Sequence, residues 1–505
     1  MDYAHTHKVY LVGSGPGDEQ MLTRKGEALI RSCDCLVYDR LIPPELVDLA
    51  PVGAKKIYVG KAAANHAMKQ EDINQLLVDL SKDYSCVVRL KGGDPYVFGR
   101  GGEEADVLRQ QKVPFEVIPG ISSSIGGLAY AGIPITHRDY ASSFHVLTGH
   151  FKDDSKDHDW AVVSKLQGTL VFLMSIANIS YICQQLVKNG KAPDTPLAVV
   201  SNAASVDQHV YEATIATADT DLPLGEIASP ALLVVGNVVK MRDTLNWFEE
   251  LPLFGKRILV TRSSKQASRF SAKLKLLGAK VIELPMIDFE NINDQALSKT
   301  IAGLDRYTQL WFTSENAIHR FMTALFDAGK DIRALSHLKI LAIGSQTSKW
   351  LKDYHVIPDF IPATFTQEGI IELMKDELKA TDHVLLPTAT GARETLADWV
   401  KTVCELTSLY TYQTVPAAEP ENLDDIKTLL GENINYITFT SGSTVTHFHD
   451  FITKYDISVN PEAKLASIGP ITSTTLTSLG YAVDFEANPH TIDALVSAIC
   501  ENGGK

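Results

Sequence analysis

Five glycines fall between Lys91 and Glu104 in the run KGGDPYVFGRGGEE, with Asp94, Pro95 and Arg100 set among them. Glycine lets a ligand approach main-chain atoms closely, so glycines clustered behind an apolar strand read as a binding loop. The strand is Cys86-Val87-Val88-Arg89-Leu90, rich in β-branched residues. A second loop, Gly13-Ser14-Gly15-Pro16-Gly17-Asp18, follows the strand Val9-Tyr10-Leu11-Val12. Two such loops at the ends of two strands point to one small-molecule site held largely by backbone N–H groups. The first loop lacks the complete GxGxxG pattern, which argues against a dinucleotide site.

The elements that must carry these loops alternate throughout. Short β-branched runs and amphipathic stretches follow one another, which predicts α/β architecture with largely parallel sheets. In the first half, strands are expected near residues 9–12, 35–38, 87–90, 115–117, 145–147, 169–173, 197–200 and 231–235. Past Trp247 the chain runs through Leu251-Pro252-Leu253-Phe254-Gly255 and restarts with a strand at Arg257, so the main boundary is placed near residue 252. Domains of 1–250 and 255–505 follow. The second domain repeats itself. Phe312-Thr313-Ser314 returns 127 positions later as Phe439-Thr440-Ser441, and Ile343-Gly344 and Asp359-Phe360 return 125 positions later as Ile468-Gly469 and Asp484-Phe485. Three matches in register imply duplication, and two similar α/β lobes leave a cleft for a ligand.

Composition narrows the partners. The 505 residues carry a net charge of −14, with 23 basic and 31 acidic residues through position 250 and 24 and 30 after it. Neither half has the basic field that nucleic acid requires. The six cysteines form no CxxC pair and no secreted framework, so they read as reduced thiols of a cytoplasmic protein. No apolar run is long enough for a membrane span, and no leader is visible in MDYAHTHK. The HxH pairs His5/His7 and His447/His449 lack further ligand spacing and read as surface or capping histidines, with no metal expected.

Seven ordered motifs in the first half, about residues 8 to 245, resemble the uroporphyrinogen-III C-methyltransferases of the tetrapyrrole methylase family. They are VGSGPGD (Val12–Asp18), VYDRL (Val37–Leu41), VGK (Val59–Lys61), RLKGGDPYVFGRGGEE (Arg89–Glu104), PGISS (Pro119–Ser123), AGIPITHR (Ala131–Arg138) and TGH (Thr148–His150). The resemblance implies two α/β lobes that hold S-adenosyl-L-methionine in the cleft between them. It also implies a homodimer, and methylation of two pyrrole carbons of uroporphyrinogen III to give precorrin-2, a precursor of siroheme and cobalamin. By resemblance, Pro16, Gly92, Gly93, Asp94, Val97, Ser122, Ser123, Met174 and Ala203 line the donor pocket, Asp39 accepts a proton and Lys61 donates one. Met174 reads equally as core, Asp39 as a turn residue ahead of Pro43-Pro44, and Lys61 as a solvated lysine. A substrate with eight carboxylates needs cations, and Arg40, Arg100, His137, Arg138 and His150 lie in or beside the motifs, Arg100 and Arg138 ranking first for bidentate geometry. The chain departs from the family at Ser201-Asn202-Ala203-Ala204, where Glu-Asn-Gly-Thr is usual, and at Ser175, where glycine often follows the methionine.

The second half, about residues 255 to 500, resembles uroporphyrinogen-III synthase through GKRILVTR (Gly255–Arg262), FTSENAI (Phe312–Ile318), IGSQT (Ile343–Thr347), LPTATGARETL (Leu386–Leu396), YTYQT (Tyr410–Thr414) and IGPITSTTL (Ile468–Leu476). This implies a two-lobed domain, lobe one from residues 255–289 with 415–505 and lobe two from 290–410, that turns hydroxymethylbilane into uroporphyrinogen III. The resemblance sets Tyr412 as a proton donor, with a buried strand tyrosine as the other reading. Thr313, Ser314, Thr440 and Ser441 stand at lobe edges, where their hydroxyls serve substrate carboxylates or cap turns. The two resemblances name adjacent steps, the product of one being the substrate of the other. The readings held against this fusion are a methylase relative acting on another substrate and a C-terminal half that only binds ligand.

Overall fold

A computed structural model describes residues 7–60, 68–150, 156–420 and 423–503. The chain divides into two compact units: Met1–Lys256 with Leu274–Lys280 and Asn502–Lys505, and Arg257–Lys273 with Val281–Glu501.

The first unit opens with β1 (Lys8–Gly13), β2 (Cys35–Tyr38), β3 (Lys55–Tyr58), β4 (Cys86–Lys91) and β5 (Phe115–Ile118). They form one parallel sheet in the order β3-β2-β4-β1-β5. Strand side chains alternate between faces, and the core obeys that period. Tyr10, Val12, Leu36, Val88 and Leu90 join one buried cluster, while Val9, Leu11, Cys35, Val37 and Val87 join another. Both faces are therefore covered, as parallel sheets require. The glycine loops both leave the carboxyl edge of this sheet, where open α/β sheets bind ligands.

The second sheet of this unit holds β6 (Phe144–Thr148), β7 (Thr169–Leu173), β8 (Pro196–Ser201), β9 (His209–Thr214) and β10 (Ala231–Val235) in the order β6-β7-β10-β8-β9. Here the expectation of largely parallel sheets is corrected. Only β6 and β7 run parallel, and the other three pairings are antiparallel. Two strands escaped the sequence reading, β3 and β9. Both are edge strands whose residues are mostly half-buried or exposed, so neither shows a continuous apolar run.

The second unit starts with β11 (Arg257–Val260) and β12 (Lys280–Glu283), then crosses into β13 (Ile287–Asn291), β14 (Gln309–Phe312), β15 (Lys339–Ala342), β16 (His383–Ala389) and β17 (Glu405–Pro416). It returns through β18 (Tyr436–Phe439), β19 (Lys464–Ser467) and β20 (Phe485–Glu486). The sheets are β12-β11-β18-β19-β20 and β13-β17-β16-β14-β15, with β13 antiparallel to β17. The repeat read from the sequence is a structural one. Asp359 Oδ2 accepts from the Ile340 N–H at 2.8 Å, and Asp484 Oδ2 from the Leu465 N–H at 2.8 Å. Leu341 bridges Phe360 as Ala466 pairs with Phe485. Ser314 and Ser441 both cap a helix, accepting from the N–H groups of Ala317 and Thr444. Among the described residues, no helix is long and apolar enough to cross a membrane.

Candidate functional sites

At the carboxyl edge of the first sheet three glycine loops meet. Gly15 and Gly93 exchange backbone hydrogen bonds at 3.2 and 3.0 Å, tying the first loop to the one after β4. A Cβ on Gly120 would stand 2.1 Å from Gly93 O and 2.7 Å from Gly13 Cα, so only bare backbone fits at this crossing. Gly92 and Gly93 present the opposite situation: an added Cβ would find nothing nearer than 3.5 Å and 3.8 Å, respectively. They form an open ledge beside Ser122 and Ser123. Asp94 fastens this ledge, its Oδ1 accepting from the Tyr96 N–H at 2.8 Å and its Oδ2 from the Gly120 N–H at 2.9 Å. Its carboxylate thus holds the loops, while an added side-chain atom at Gly92 or Gly93 would meet only open space or ordinary contact.

The structure gathers most of the predicted donor set. Pro16 is buried under the helix Ser123–Tyr130, close to Gly126. Ser122 caps that helix, accepting from the Ser124 N–H at 3.3 Å. A Cβ on Gly127 of the same helix would lie 2.8 Å from Ala203 Cβ, and one on Gly17 would lie 2.4 Å from Ala203 O. The extra methyl of Ala203 is accommodated by Gly127. Val97 is exposed on the loop after β4, between Tyr96 and Phe98. Met174 follows β7 with φ 57°, and its side chain is half exposed rather than part of the core. Phe98, Arg100, Asn202 and Ala204 also have positive φ, at 53°, 58°, 46° and 61°. Strained non-glycine backbone on the loops of one site is the pattern of a binding cradle held in shape by its surroundings.

Behind Asp39 lies a charged cluster that the sequence reading missed. Period two puts Val87, Arg89 and Lys91 on one face of β4, and the helix Gly101–Gln110 lays Glu104, Ala105 and Leu108 against it. The Arg89, Lys91 and Glu104 side chains are 2%, 4% and 0% exposed. Glu104 Oε1 accepts from Lys91 Nζ at 2.7 Å, Arg89 Nε at 3.2 Å and Gln70 Nε2 at 3.3 Å. Glu104 Oε2 is buried without a hydrogen-bond partner. Arg89 Nη2 then donates at 2.8 Å to Oδ1 of Asp39, whose side chain reaches solvent. Burial pushes the Lys91 ammonium below the ordinary lysine range, neighbouring Arg89 adds to this, and Glu104 and Asp39 oppose it. The sequence carried a signal. An Arg and a Lys at alternate positions of the central strand of a parallel sheet are out of place unless something buried answers them.

The remaining cationic candidates scatter along the loops. Arg40 is exposed in the turn after β2, and a Cβ on Gly60 would stand 2.8 Å from its backbone N. Lys61 lies outside the described residues. Arg100 is committed to Glu103 by two bonds, Nε to Oε1 at 2.9 Å and Nη2 to Oε2 at 2.8 Å. His137 closes a turn with Ala141 and accepts at Nδ1 from the Asp139 N–H at 3.2 Å, with Arg138 exposed beside it. His150 is exposed in a turn in which Thr148 Oγ1 donates to its carbonyl at 2.7 Å.

In the second unit, Tyr412 of β17 is 7% exposed, with its ring edge-on to Phe289 at 5.7 Å. Its hydroxyl donates to Ser314 Oγ at 3.0 Å. Burial raises the Tyr412 pKa, opposed by the hydrogen bonds to Ser314 and Asn316. Tyr412 and Ser314 are therefore joined at one helix N-terminus, with Thr313 half-buried just before it. Thr440 and Ser441 hold the corresponding place at the end of β18 in the other sheet. Among the described residues, no group of three or more His, Cys, Asp or Glu is placed to hold a metal.

Comparison with known proteins matches each half. The family model of tetrapyrrole (corrin/porphyrin) methylases covers residues 8–219, and that of uroporphyrinogen-III synthase HemD covers residues 268–497. The chain is 36% identical over 504 residues to the porphyrin biosynthesis protein HemD of Ruminiclostridium josui, spanning 98% of each. It is 39% identical over 348 residues to the uroporphyrinogen-III C-methyltransferase of Bacillus subtilis (strain 168), across 68% of this chain and 71% of that one. A uroporphyrin-III C-methyl transferase from Thermus thermophilus, solved in complex with S-adenyl homocysteine, is 38% identical, covering 46% of this chain and 99% of its own with a TM-score of 0.41.

Proposed function

Since this chain belongs to the family that fuses a tetrapyrrole methylase to a uroporphyrinogen-III synthase, we propose that it carries hydroxymethylbilane through to precorrin-2. The domain from 255 to 505 closes the linear tetrapyrrole to uroporphyrinogen III, and the domain from 1 to 250 methylates that product twice. The methyl donor is S-adenosyl-L-methionine, which supplies an electrophilic methyl group when bound. The glycine crossing supports this assignment: an open backbone ledge at Gly92 and Gly93 ends one strand away from a carboxylate held by a buried arginine.

On this reading Pro16, Gly92, Gly93, Asp94, Val97, Ser122, Ser123, Met174 and Ala203 hold the donor mainly through backbone groups. Alignment of donor and pyrrole carbon contributes up to about 7–11 kcal/mol in well-oriented cases. The pyrrole becomes acidic on methylation, and Asp39, engaged at Oδ1 by Arg89, takes the proton at Oδ2. Lys61 returns a proton, and Arg40, Arg138, His137 and His150 meet the substrate carboxylates. Arg100 joins them by exchanging its exposed Glu103 partner, an exposed pair being worth only about 0–1 kcal/mol.

In the synthase domain, Tyr412 assists departure of hydroxide. Its raised pKa keeps the phenol protonated at neutral pH. Thr313, Ser314, Thr440 and Ser441 present hydroxyls and helix N-termini to carboxylates from both lobes. The enzyme works as a homodimer through its methylase domain, in the cytoplasm, where its six free cysteines stay reduced. One experiment tests the whole assignment. Purified chain is given hydroxymethylbilane with and without S-adenosyl-L-methionine, and products are resolved by isomer and mass. Isomer III without donor and its dimethylated derivative with donor are expected. Isomer I alone, or no methylation of supplied uroporphyrinogen III, refutes the respective half.

A further inference from the structure

The turn Asn202-Ala203-Ala204 closes the donor pocket on the side of the second sheet, and two of its residues are strained. Asn202 and Ala204 have φ of 46° and 61°, a region that an alanine holds only when its surroundings impose it. Ala203 is fixed on two sides, by Gly17 of the first loop and by Gly127 of the helix Ser123–Tyr130. The third anchor is Gln208, which is 4% exposed. Its Oε1 accepts from the Ala204 N–H at 2.8 Å. Its Nε2 donates to the Tyr130 carbonyl at 3.1 Å and to Glu249 Oε1 at 2.8 Å.

Each bond fixes the orientation of the amide. Glu249 is itself held, its Oε2 accepting from Arg242 Nη2 at 2.6 Å. A flipped amide would set its oxygen against that carboxylate and against the Tyr130 carbonyl. Tyr130 extends the chain of contacts to the opposite wall, its hydroxyl donating to Asp18 Oδ2 at 2.7 Å, at the end of the first glycine loop. Gln208 and Tyr130 thus couple the strained turn to the loop it faces, and neither belongs to the donor-lining set.

We infer that Gln208 is a positioning residue for the methyl donor: its amide holds the Asn202–Ala204 turn, strained in this chain by alanine at 204, in the shape that receives the donor. The inference rests on the donor-pocket reading above. Without Gln208 Oε1 the Ala204 N–H is buried and unpaired, and the turn relaxes away from positive φ. Glycine at 204 adopts the same backbone without strain.

The test is calorimetric titration of the full chain with S-adenosylhomocysteine, together with methylation kinetics. Gln208→Met keeps length and burial but removes the amide, and we expect affinity to fall about 10- to 100-fold. At saturating donor, kcat and the KM for the tetrapyrrole stay within about twofold of wild type, which a general loss of structure would not allow. Adding Ala204→Gly restores at least about fivefold of the lost affinity. Unchanged affinity in Gln208→Met, or no recovery in the double variant, overturns the inference. If Gln208→Met does not fold, Gln208→Asn keeps an amide one methylene short of Ala204. A loss of at least about threefold is then expected, and wild-type affinity overturns the inference. A wild-type chain that binds no S-adenosylhomocysteine overturns the donor reading and the role of Gln208 with it, whereas equal binding by wild type and Gln208→Met overturns the role of Gln208 alone.

Discussion

Glu104→Gln tests whether the buried charges behind Asp39 work as a unit. The substitution keeps shape and removes one charge from a side chain that is fully buried and answers both Arg89 and Lys91. Removing one partner of a buried pair costs about 3–5 kcal/mol, because the other charge is left uncompensated. Here one change exposes two cations to that penalty, but Lys91 can escape by losing its proton. Burial and Arg89 already hold its pKa below the ordinary value, and Glu104 is the foremost group opposing them. The sign follows from linkage. A lysine whose folded pKa is depressed binds fewer protons folded than unfolded, so stability rises with pH between the two values. Glu104→Gln extends that interval downward, so the variant's deficit is larger at neutral pH and shrinks toward wild type as pH approaches 10. At about 2–4 °C per kcal/mol for a domain of this size, the first unit's transition should fall by about 6–20 °C near neutrality. Calorimetry of the full chain at several pH values measures it, the relevant transition being the one raised by S-adenosylhomocysteine. A drop below about 3 °C, the size expected of a surface pair, or a deficit that grows with pH, refutes the reasoning.

Three further outcomes are expected. Asp39→Asn should lower methylation about 10²–10⁴-fold with donor affinity unchanged in calorimetry, and equal losses in both would make Asp39 a structural residue. Gly120→Ala drives a methyl into Gly93 O and should destabilise the first unit by at least about 1–3 kcal/mol, whereas Gly93→Ala, whose methyl meets nothing within 3.5 Å, should cost only the strain of positive φ, about 1–2 kcal/mol, yet weaken donor binding in titration. Tyr412→Phe should lose the preference for isomer III while costing only about 0.5–1.5 kcal/mol of stability. Because burial raises the Tyr412 pKa, its contribution is complete below the unfolded value near 10 and is lost as pH rises through the folded one, so the variant's alkaline fall in stability should be shallower in urea titrations across that range.

The sequence alone determined the loops and their order. Glycine density after β-branched strands, the motif series in each half and the repeat at 125 and 127 positions are local properties, legible because glycine and strand patterning act within a few residues. Tertiary structure decided what those loops face. That Arg89 and Lys91 are buried depends on Glu104 arriving from a helix 13 to 15 positions away in sequence. That Tyr412 reaches Ser314 98 positions away and that Gln208 spans 78 positions to Tyr130 were equally beyond a linear reading. Strand direction in the second sheet also escaped, because alternation of apolar residues gives the same signal for parallel and antiparallel neighbours. Residue type states which chemistry is possible; the counter-ion, the hydrogen-bond partner and the strain that tune it are supplied by segments brought together only when the chain folds.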